Sequence, residues 1–343
     1  MAPGKLPTRK IGTDEVTAIG WGAMGLSAYY GPAASDEERL KFLDDLYASG
    51  CTMWDSANVY GDSEELIGKW LKKTGKRDEI FLCTKVGITG DPARGSNGEP
   101  EYIRQNAERS LQRFGVDVID LYYLHRPDPR VPIEKSVEAM AEFVKAGKIR
   151  YLGLSECTAA TIRRAHAVHP IAAIQVEYSL FALDVEHPDA AVLATARELG
   201  IAVVAYSPLG RGVLTGRFTS ADEFGEGDFR RTIPRFAPDN FARMRALADE
   251  VHAVAQRVGA KPGQVALAWL LEQGEDIIPI PGTRSTKYLH ENLGALDVKL
   301  GKDDLDALRR IAEDAGRVLE TRYGSAGMAL VMQETPPLHQ AKF

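Results

Sequence analysis

Four polar residues stand where apolar runs stop. Asp55 follows Thr-Met-Trp and Tyr60 comes shortly after it, Lys85 follows Ile-Phe-Leu-Cys-Thr, and His125 follows Val-Ile-Asp-Leu-Tyr-Tyr-Leu. Together these types make a proton-donating site for a carbonyl oxygen. A free tyrosine titrates near about 10. An ammonium such as Lys85 favours the phenolate and lowers that value, and a carboxylate such as Asp55 holds the lysine charged and aimed. Tyr60 then serves as a general acid. His125, neutral or protonated, orients a substrate oxygen and stabilises the charge developing on it. The arrangement requires no nucleophile.

Such residues need elements that bring them to one place. Short β-branched or aromatic runs at 16–20, 52–55, 80–85, 118–125, 149–154, 173–176, 202–206 and 277–280 read as eight strands. Segments at 37–48, 64–73, 102–114, 133–146, 158–167, 190–199 and a longer 241–273 region carry helical periodicity between them. The alternation predicts an α/β fold, a single (β/α)8 TIM barrel, with the strand ends as its catalytic face. One domain is expected over 1–343, with a core of about 6–311 and a C-terminal extension over 312–343. The stretch 209–239, rich in Gly, Arg, Asp and Phe, is too long for an ordinary connection after the seventh strand. It reads as a mobile loop or disordered insertion on the catalytic face, and among those options as a lid over the cofactor. The tail beyond Leu319 shows no periodicity and either shapes the pocket or frays.

Around the four residues the chain reads Trp-Asp-Ser-Ala-Asn-Val-Tyr-Gly-Asp-Ser-Glu, Cys-Thr-Lys-Val-Gly and Asp-Leu-Tyr-Tyr-Leu-His-Arg-Pro-Asp. With these motifs it resembles the aldo-keto reductases from about Leu6 to about Ile311. The family's Asp, Tyr, Lys and His tetrad maps onto Asp55, Tyr60, Lys85 and His125. Within the family the chain is similar to microbial, fungal and plant reductases of aldehydes such as pyridoxal or of small aromatic and aliphatic carbonyls. The resemblance implies an oxidoreductase using NADPH/NADP+.

The tetrad protonates an oxygen but supplies no hydride, so a cofactor must. No Gly-x-Gly-x-x-Gly follows a first strand, which disfavours a Rossmann-type site and leaves the barrel itself to hold the nucleotide. By resemblance, Ser155 and Gln175 hydrogen-bond the carboxamide, Tyr206 stacks on the nicotinamide ring, and Ser207, Leu209, Gly210 and Arg211 belong to the same cofactor-binding stretch. Taken singly, Tyr206 is equally an aromatic at a strand end, Gln175 a polar plug, and 207–212 a turn. Glu156 departs from the Asn common after that Ser. Gly282, Thr283 and Arg284 precede a predicted helix, where backbone N–H groups beside a basic residue attract anions. They are expected to cradle the adenosine 2′-phosphate, with Lys287 nearby and Glu291 and Asn292 matching the family's adenine contacts. Many relatives carry a second arginine where Tyr288 stands here.

Composition excludes other classes. A hydrophobic content of 44%, a charged content of 26% and a net charge of −6 fit a folded enzyme and leave no nucleic-acid footprint. Cys51, Cys83 and Cys157 are odd in number and widely spaced, which reads as reduced buried thiols rather than a disulfide framework or a zinc site. His166, His169, His187, His252, His290 and His339 lack metal-ligand spacing, so no metal is expected. No export signal or membrane-spanning run is seen, so a cytoplasmic protein acting on a small carbonyl, with no obligate protein partner, is expected. Trp21, Met24, Tyr29 and Tyr30 either wall the pocket or pack. Two other readings remain: a redox-sensing regulatory subunit, since potassium-channel β subunits resemble the same family, and a lyase or aldolase with a Schiff base on Lys85.

Overall fold

Strand formation follows from residues alternating between two apolar environments, and the computed structural model, which describes residues 5–91 and 93–338, shows which environment each face meets. His339 lies outside the described residues. The strands are β1 (Thr8–Ile11), β2 (Asp14–Thr17), β3 (Trp21–Gly22), β4 (Met53–Asp55), β5 (Phe81–Val86), β6 (Ile119–Leu124), β7 (Ile149–Ser155), β8 (Ile171–Glu177), β9 (Ala202–Tyr206) and β10 (Ile277–Pro279). The helices are α1 (Met24–Ser27), α2 (Asp36–Ala48), α3 (Ser63–Thr74), α4 (Pro100–Phe114), α5 (Ile133–Lys145), α6 (Ala159–Val168), α7 (Val192–Glu198), α8 (Pro238–Val258), α9 (Pro262–Leu271), α10 (Thr286–Leu293), α11 (Lys302–Val318) and α12 (Ser325–Met328).

Strands β3 to β10 form one parallel sheet in chain order. The Gly20 N–H donates to the Pro279 carbonyl at 3.0 Å, bringing its first and last edges together as a (β/α)8 barrel. Inside, Met53, Phe81, Cys83, Leu121, Tyr123, Ala173, Val204 and Ile278 make one apolar cluster. A larger cluster, including Trp54, Leu82, Tyr122, Leu154 and Val203, packs the outer strand faces against the helices. Among the described residues no helix is long and apolar enough to cross a membrane.

The first predicted strand is corrected. Residues 16–20 do not enter the barrel; Val16 belongs to β2, which pairs antiparallel with β1, and the barrel strand is β3. The reason lies in Ile11 and Val16, which join the interior cluster and so close the barrel floor. The predicted 241–273 region divides into α8 and α9, because Gly259 (φ 69) ends α8 and Pro262 opens α9. Helix α11 has no counterpart among the predicted elements, although Leu308, Ile311, Ala312 and Ala315 mark its buried face. The 209–239 stretch is built of short 3-10 turns rather than a disordered insertion. Its Phe218, Phe224 and Phe236 pack edge to face, and the Arg230 guanidinium lies 4.1 Å from the Phe224 ring centre while pairing with Asp228.

Candidate active site

Side chains two apart on a strand share a face. Carried to the strand ends, the inward rows of six strands, β4 to β9, turn from apolar to polar. Met53 leads to Asp55, Cys83 to Lys85, Tyr123 to His125, Gly153 to Ser155, Ala173 through Gln175 to Glu177, and Val204 to Tyr206. The barrel registers these ends against each other, Ser155 opposite Gln175 and Glu177 opposite Tyr206. A Cβ at Gly153 would run into the Tyr123 ring, so glycine is the residue that fits there.

The tetrad comes together beneath the surface. Lys85 is 0% exposed, Asp55 2%, His125 6% and Tyr60 9%. Lys85 Nζ donates to Asp55 Oδ1 at 2.5 Å and to the Ser56 carbonyl at 2.6 Å, and it lies 4.9 Å from the centre of the Tyr60 ring. Burial works against the Lys85 ammonium, but Asp55 and Tyr60 outweigh it and raise its pKa. A lysine kept charged in this way is a poor nucleophile, which disfavours the Schiff-base reading. The Tyr60 and His125 rings meet edge to face with centres 5.8 Å apart. Burial, then Lys85 and Arg126, hold the His125 pKa well below the usual histidine range, so the ring is neutral. Its Nδ1 is buried without a hydrogen-bond partner among the described residues.

Lys85 pulls the Tyr60 pKa down as expected, but the expectation of a net lowering is corrected. Burial is the largest influence and raises it, with Lys85 pulling the other way and Asp55 and Tyr29 adding to the rise. Tyr60 is therefore held protonated, which suits a proton donor.

Tyr60 is carried on the loop between β4 and α3, and its neighbours explain why that loop has one shape. Gly61 has φ 58, and a Cβ there would lie 2.7 Å from the Ser27 carbonyl oxygen. Asp62 accepts two bonds from Arg39, at 2.7 and 2.8 Å, and that pairing holds its carboxyl down to about 2. Arg39 also donates to Ser27 Oγ at 2.9 Å. Gly61→Ala is expected to cost roughly 1–3 kcal/mol of stability and to lower turnover by shifting Tyr60. A denaturation midpoint equal to that of the parent protein would remove this constraint from the argument.

The residues expected at the cofactor lie along the same face, with some already engaged. Ser155 Oγ accepts from Arg126 Nη1 at 3.0 Å, and Gln175 Nε2 donates to Asp55 Oδ2 at 2.9 Å. Gln175 thus also holds the tetrad carboxylate, which its sequence position did not suggest. Tyr206 is half-buried, and its hydroxyl donates to Glu156 Oε1 at 2.9 Å. Ser207 (φ 50), Gly210 (φ 55), Arg211 (φ 55) and Gly212 (φ 97) give the next turn several left-handed residues, and Leu209 (φ −104) lies between them. The Arg211 side chain turns inward, 5.1 Å from the Tyr323 ring centre and 3.8 Å from Glu177.

On the other side of the barrel mouth, Gly282 backs onto Gly22, where a Cβ would lie 3.0 Å from the Gly22 carbonyl oxygen. Thr283 accepts from Trp21 Nε1 at 2.8 Å through its carbonyl, and Arg284 and Lys287 are exposed at the start of α10. Glu291 and Asn292 follow on that helix. Arg217, which sequence reasoning passed over, reaches from the 209–239 stretch to 5.6 Å from the Tyr288 ring centre, beside the place of the missing arginine. Trp21 proves to be core, packed on Phe42 and Trp54, whereas Tyr29 is 37% exposed and leans on Tyr60. Also missed were Arg39, Arg126, Glu177, Arg322 and Tyr323. Glu177 shares the inward parity of Gln175 and Arg126 adjoins His125, so these two were within reach of the strand pattern.

Comparison with known proteins agrees with this geometry. The model of the "Aldo/keto reductase family" matches residues 18–313. The chain is 56% identical to the aldo-keto reductase str7 of Strobilurus tenacellus, over 98% of this chain and 99% of the relative. It is 49% identical to the aldo-keto reductase yakc [NADP(+)] of Schizosaccharomyces pombe, over 97% and 99%. Among solved structures it is similar to a glycerol dehydrogenase from Gluconobacter oxydans (TM-score 0.79, 27% identity, 90% of this chain and 95% of that one). It is also similar to a thermostable aldo-keto reductase solved with the inhibitor epalrestat (TM-score 0.73, 29% identity, 89% and 100%).

Proposed function

Because this chain belongs to the aldo/keto reductase family, we propose that it is an NADP-dependent oxidoreductase that reduces aldehydes, and ketones of similar size, to alcohols with Tyr60 as the proton donor. The observation that carries the reading is a buried, protonated Tyr60 set between the Lys85–Asp55 ion pair and a neutral His125. When bound, NADPH supplies the hydride that no side chain provides.

The residues fit that cofactor. The His125 Nδ1 is buried without a hydrogen-bond partner among the described residues, and the exposed Arg284 and Lys287 at the start of α10 make an anion-attracting terminus. Ser155 and Gln175 would hold the carboxamide, Tyr206 the ring, the turn of Ser207, Leu209, Gly210 and Arg211 the diphosphate, and Gly282, Thr283 and Arg284 the 2′-phosphate. Glu291 and Asn292 would meet the adenine.

The chain's own part in the reaction follows from its electrostatics. Tyr60 gives up its hydroxyl proton as negative charge gathers on the carbonyl oxygen, and Lys85 stabilises the phenolate left behind. Asp55, anchored by Gln175, keeps Lys85 charged and aimed. His125 orients the carbonyl as a neutral donor. In the reverse direction the Tyr60 phenolate recovers the proton from an alcohol. Pyridoxal and small aromatic and aliphatic aldehydes are the substrates of this reading. A cytoplasmic setting, one barrel domain with a C-terminal extension, and no obligate protein partner belong to the same proposal.

The test is consumption of NADPH, and separately of NADH, by the purified protein with a panel of aldehydes. Turnover with NADPH is the expected result, whereas tight NADPH binding without turnover on any carbonyl would move the protein to a regulatory role. Arg284→Ala is expected to weaken NADPH about tenfold, some 1.4 kcal/mol, and NADH far less. Equal losses for both cofactors, measured by titration, would remove Arg284 from the 2′-phosphate.

A further inference from the structure

The segment after α11 crosses the strand ends, and one of its side chains closes on a carboxylate buried there. Glu156 is 0% exposed and left-handed (φ 51). It accepts from Arg322 Nη1 and Nη2 at 3.1 Å each, from the Tyr206 hydroxyl at 2.9 Å and from the Glu177 N–H at 3.1 Å. The charged and titratable groups around it are Arg126 after β6, Glu177 on β8, Tyr206 on β9, and Arg322 and Tyr323 on the C-terminal segment. Arg322 is 4% exposed and also lies 3.6 Å from Glu177 and from Asp184, and the Tyr323 and Tyr206 hydroxyls are 3.1 Å apart. The backbone is tied at the same place, since the Gln333 N–H donates to the Glu156 carbonyl at 3.1 Å and the Thr158 N–H to the Gln333 carbonyl at 3.3 Å.

We propose that Arg322 is a positioning residue for the nicotinamide end of the site. By pairing with Glu156 it fixes Tyr206, and it clamps the C-terminal segment over the ends of β7, β8 and β9. The inference rests on the reading above, in which Tyr206 is the ring that meets the nicotinamide.

The physical argument concerns a carboxylate that water cannot reach. Burial alone drives the Glu156 carboxyl up, and Arg322 first, then Arg126, more than reverse that, so the group is ionised. Removing one partner of a buried ion pair leaves an uncompensated charge. In Arg322→Ala the charge of Arg126 and the bonds from Tyr206 and the Glu177 N–H remain without the paired guanidinium, and the Glu156 carboxyl rises. Below the raised value Glu156 takes up a proton and stays in place beside Tyr206; above it the under-compensated anion moves toward water and frees Tyr206. The defect therefore grows as pH rises.

The experiment measures the NADPH dissociation constant by protein fluorescence between about pH 6 and about pH 8. The samples are the parent protein, Arg322→Ala, Arg322→Lys and the double variant Arg322→Ala with Glu156→Gln. Relative to the parent, Arg322→Ala is expected to bind about tenfold more weakly at the high end and to recover toward the low end, with Arg322→Lys within about threefold throughout. The double variant is expected to lose the pH dependence. A constant ratio of Arg322→Ala to parent, or a double variant that keeps the pH dependence, would overturn the proposal. Hydrogen-exchange protection of residues 320–334 in the cofactor-free protein gives a readout that does not depend on NADPH. Loosening in Arg322→Ala supports the clamp, and protection equal to that of the parent at both pH values refutes it. A parent protein that fails to bind NADPH overturns the functional reading instead, and the exchange measurement still decides the clamp.

Discussion

Replacing Tyr60 with phenylalanine is expected to lower carbonyl reduction by about 10²–10⁴-fold while leaving NADPH affinity within about twofold. The change removes one oxygen and keeps the ring, so the edge-to-face contacts with His125 and Tyr29 survive. The ring also remains beside Lys85, 4.9 Å from its Nζ. What is lost is a proton donor that combines burial, a raised pKa and an adjacent ammonium. Steady-state rates with NADPH and an aldehyde, alongside a fluorescence titration of the cofactor, make the comparison. A variant that turns over at the parent rate would take the proton transfer away from Tyr60.

Lys85→Met carries the second large effect, and it divides between activity and stability. Activity falls because the phenolate forming on Tyr60 loses its counter-charge. Stability falls because Asp55, 2% exposed, is left with Gln175 alone. Burial pushes the Asp55 carboxyl up against the pull of Lys85, so without Lys85 its folded pKa rises further above the unfolded value of about 4. The sign follows from proton linkage. The folded variant binds the proton more tightly than the unfolded chain, so its stability is greatest below about pH 4 and falls as pH climbs through the raised value. At about pH 8 the loss is expected to reach about 3–5 kcal/mol, the scale for a buried ion pair deprived of one partner. Adding Asp55→Asn should recover much of that stability without recovering turnover. Urea denaturation across pH tests the claim, and a loss that does not vary with pH would refute the account of Asp55.

Much of the barrel was legible because its strands obey a period of two and its helices one near four. Seven of the eight predicted strands match β4 to β10 to within two residues at each end. The first failed for a physical reason: residues 16–20 have the β-branched and apolar types of a barrel strand, yet the tight turn at Gly12 (φ 59) folds β2 back on β1. Val16 joins Ile11 on the barrel floor instead, and Ile19 packs in the outer cluster. The 209–239 stretch looked unstructured for lack of periodicity, but its order comes from phenylalanines and Arg230 meeting across irregular turns, which no period reveals.

The sequence by itself determined the barrel and the placing of Asp55, Lys85 and His125 at strand ends, because short apolar runs with a polar stop fix where a strand finishes. Only the tertiary structure decided that Tyr60 stays protonated, since desolvation depends on everything packed around a group. It alone paired Gln175 with Asp55, residues 120 apart in the chain, and Arg322 with Glu156, 166 apart. Contacts at such separations are set by how the whole chain closes, and no local pattern of residues encodes them.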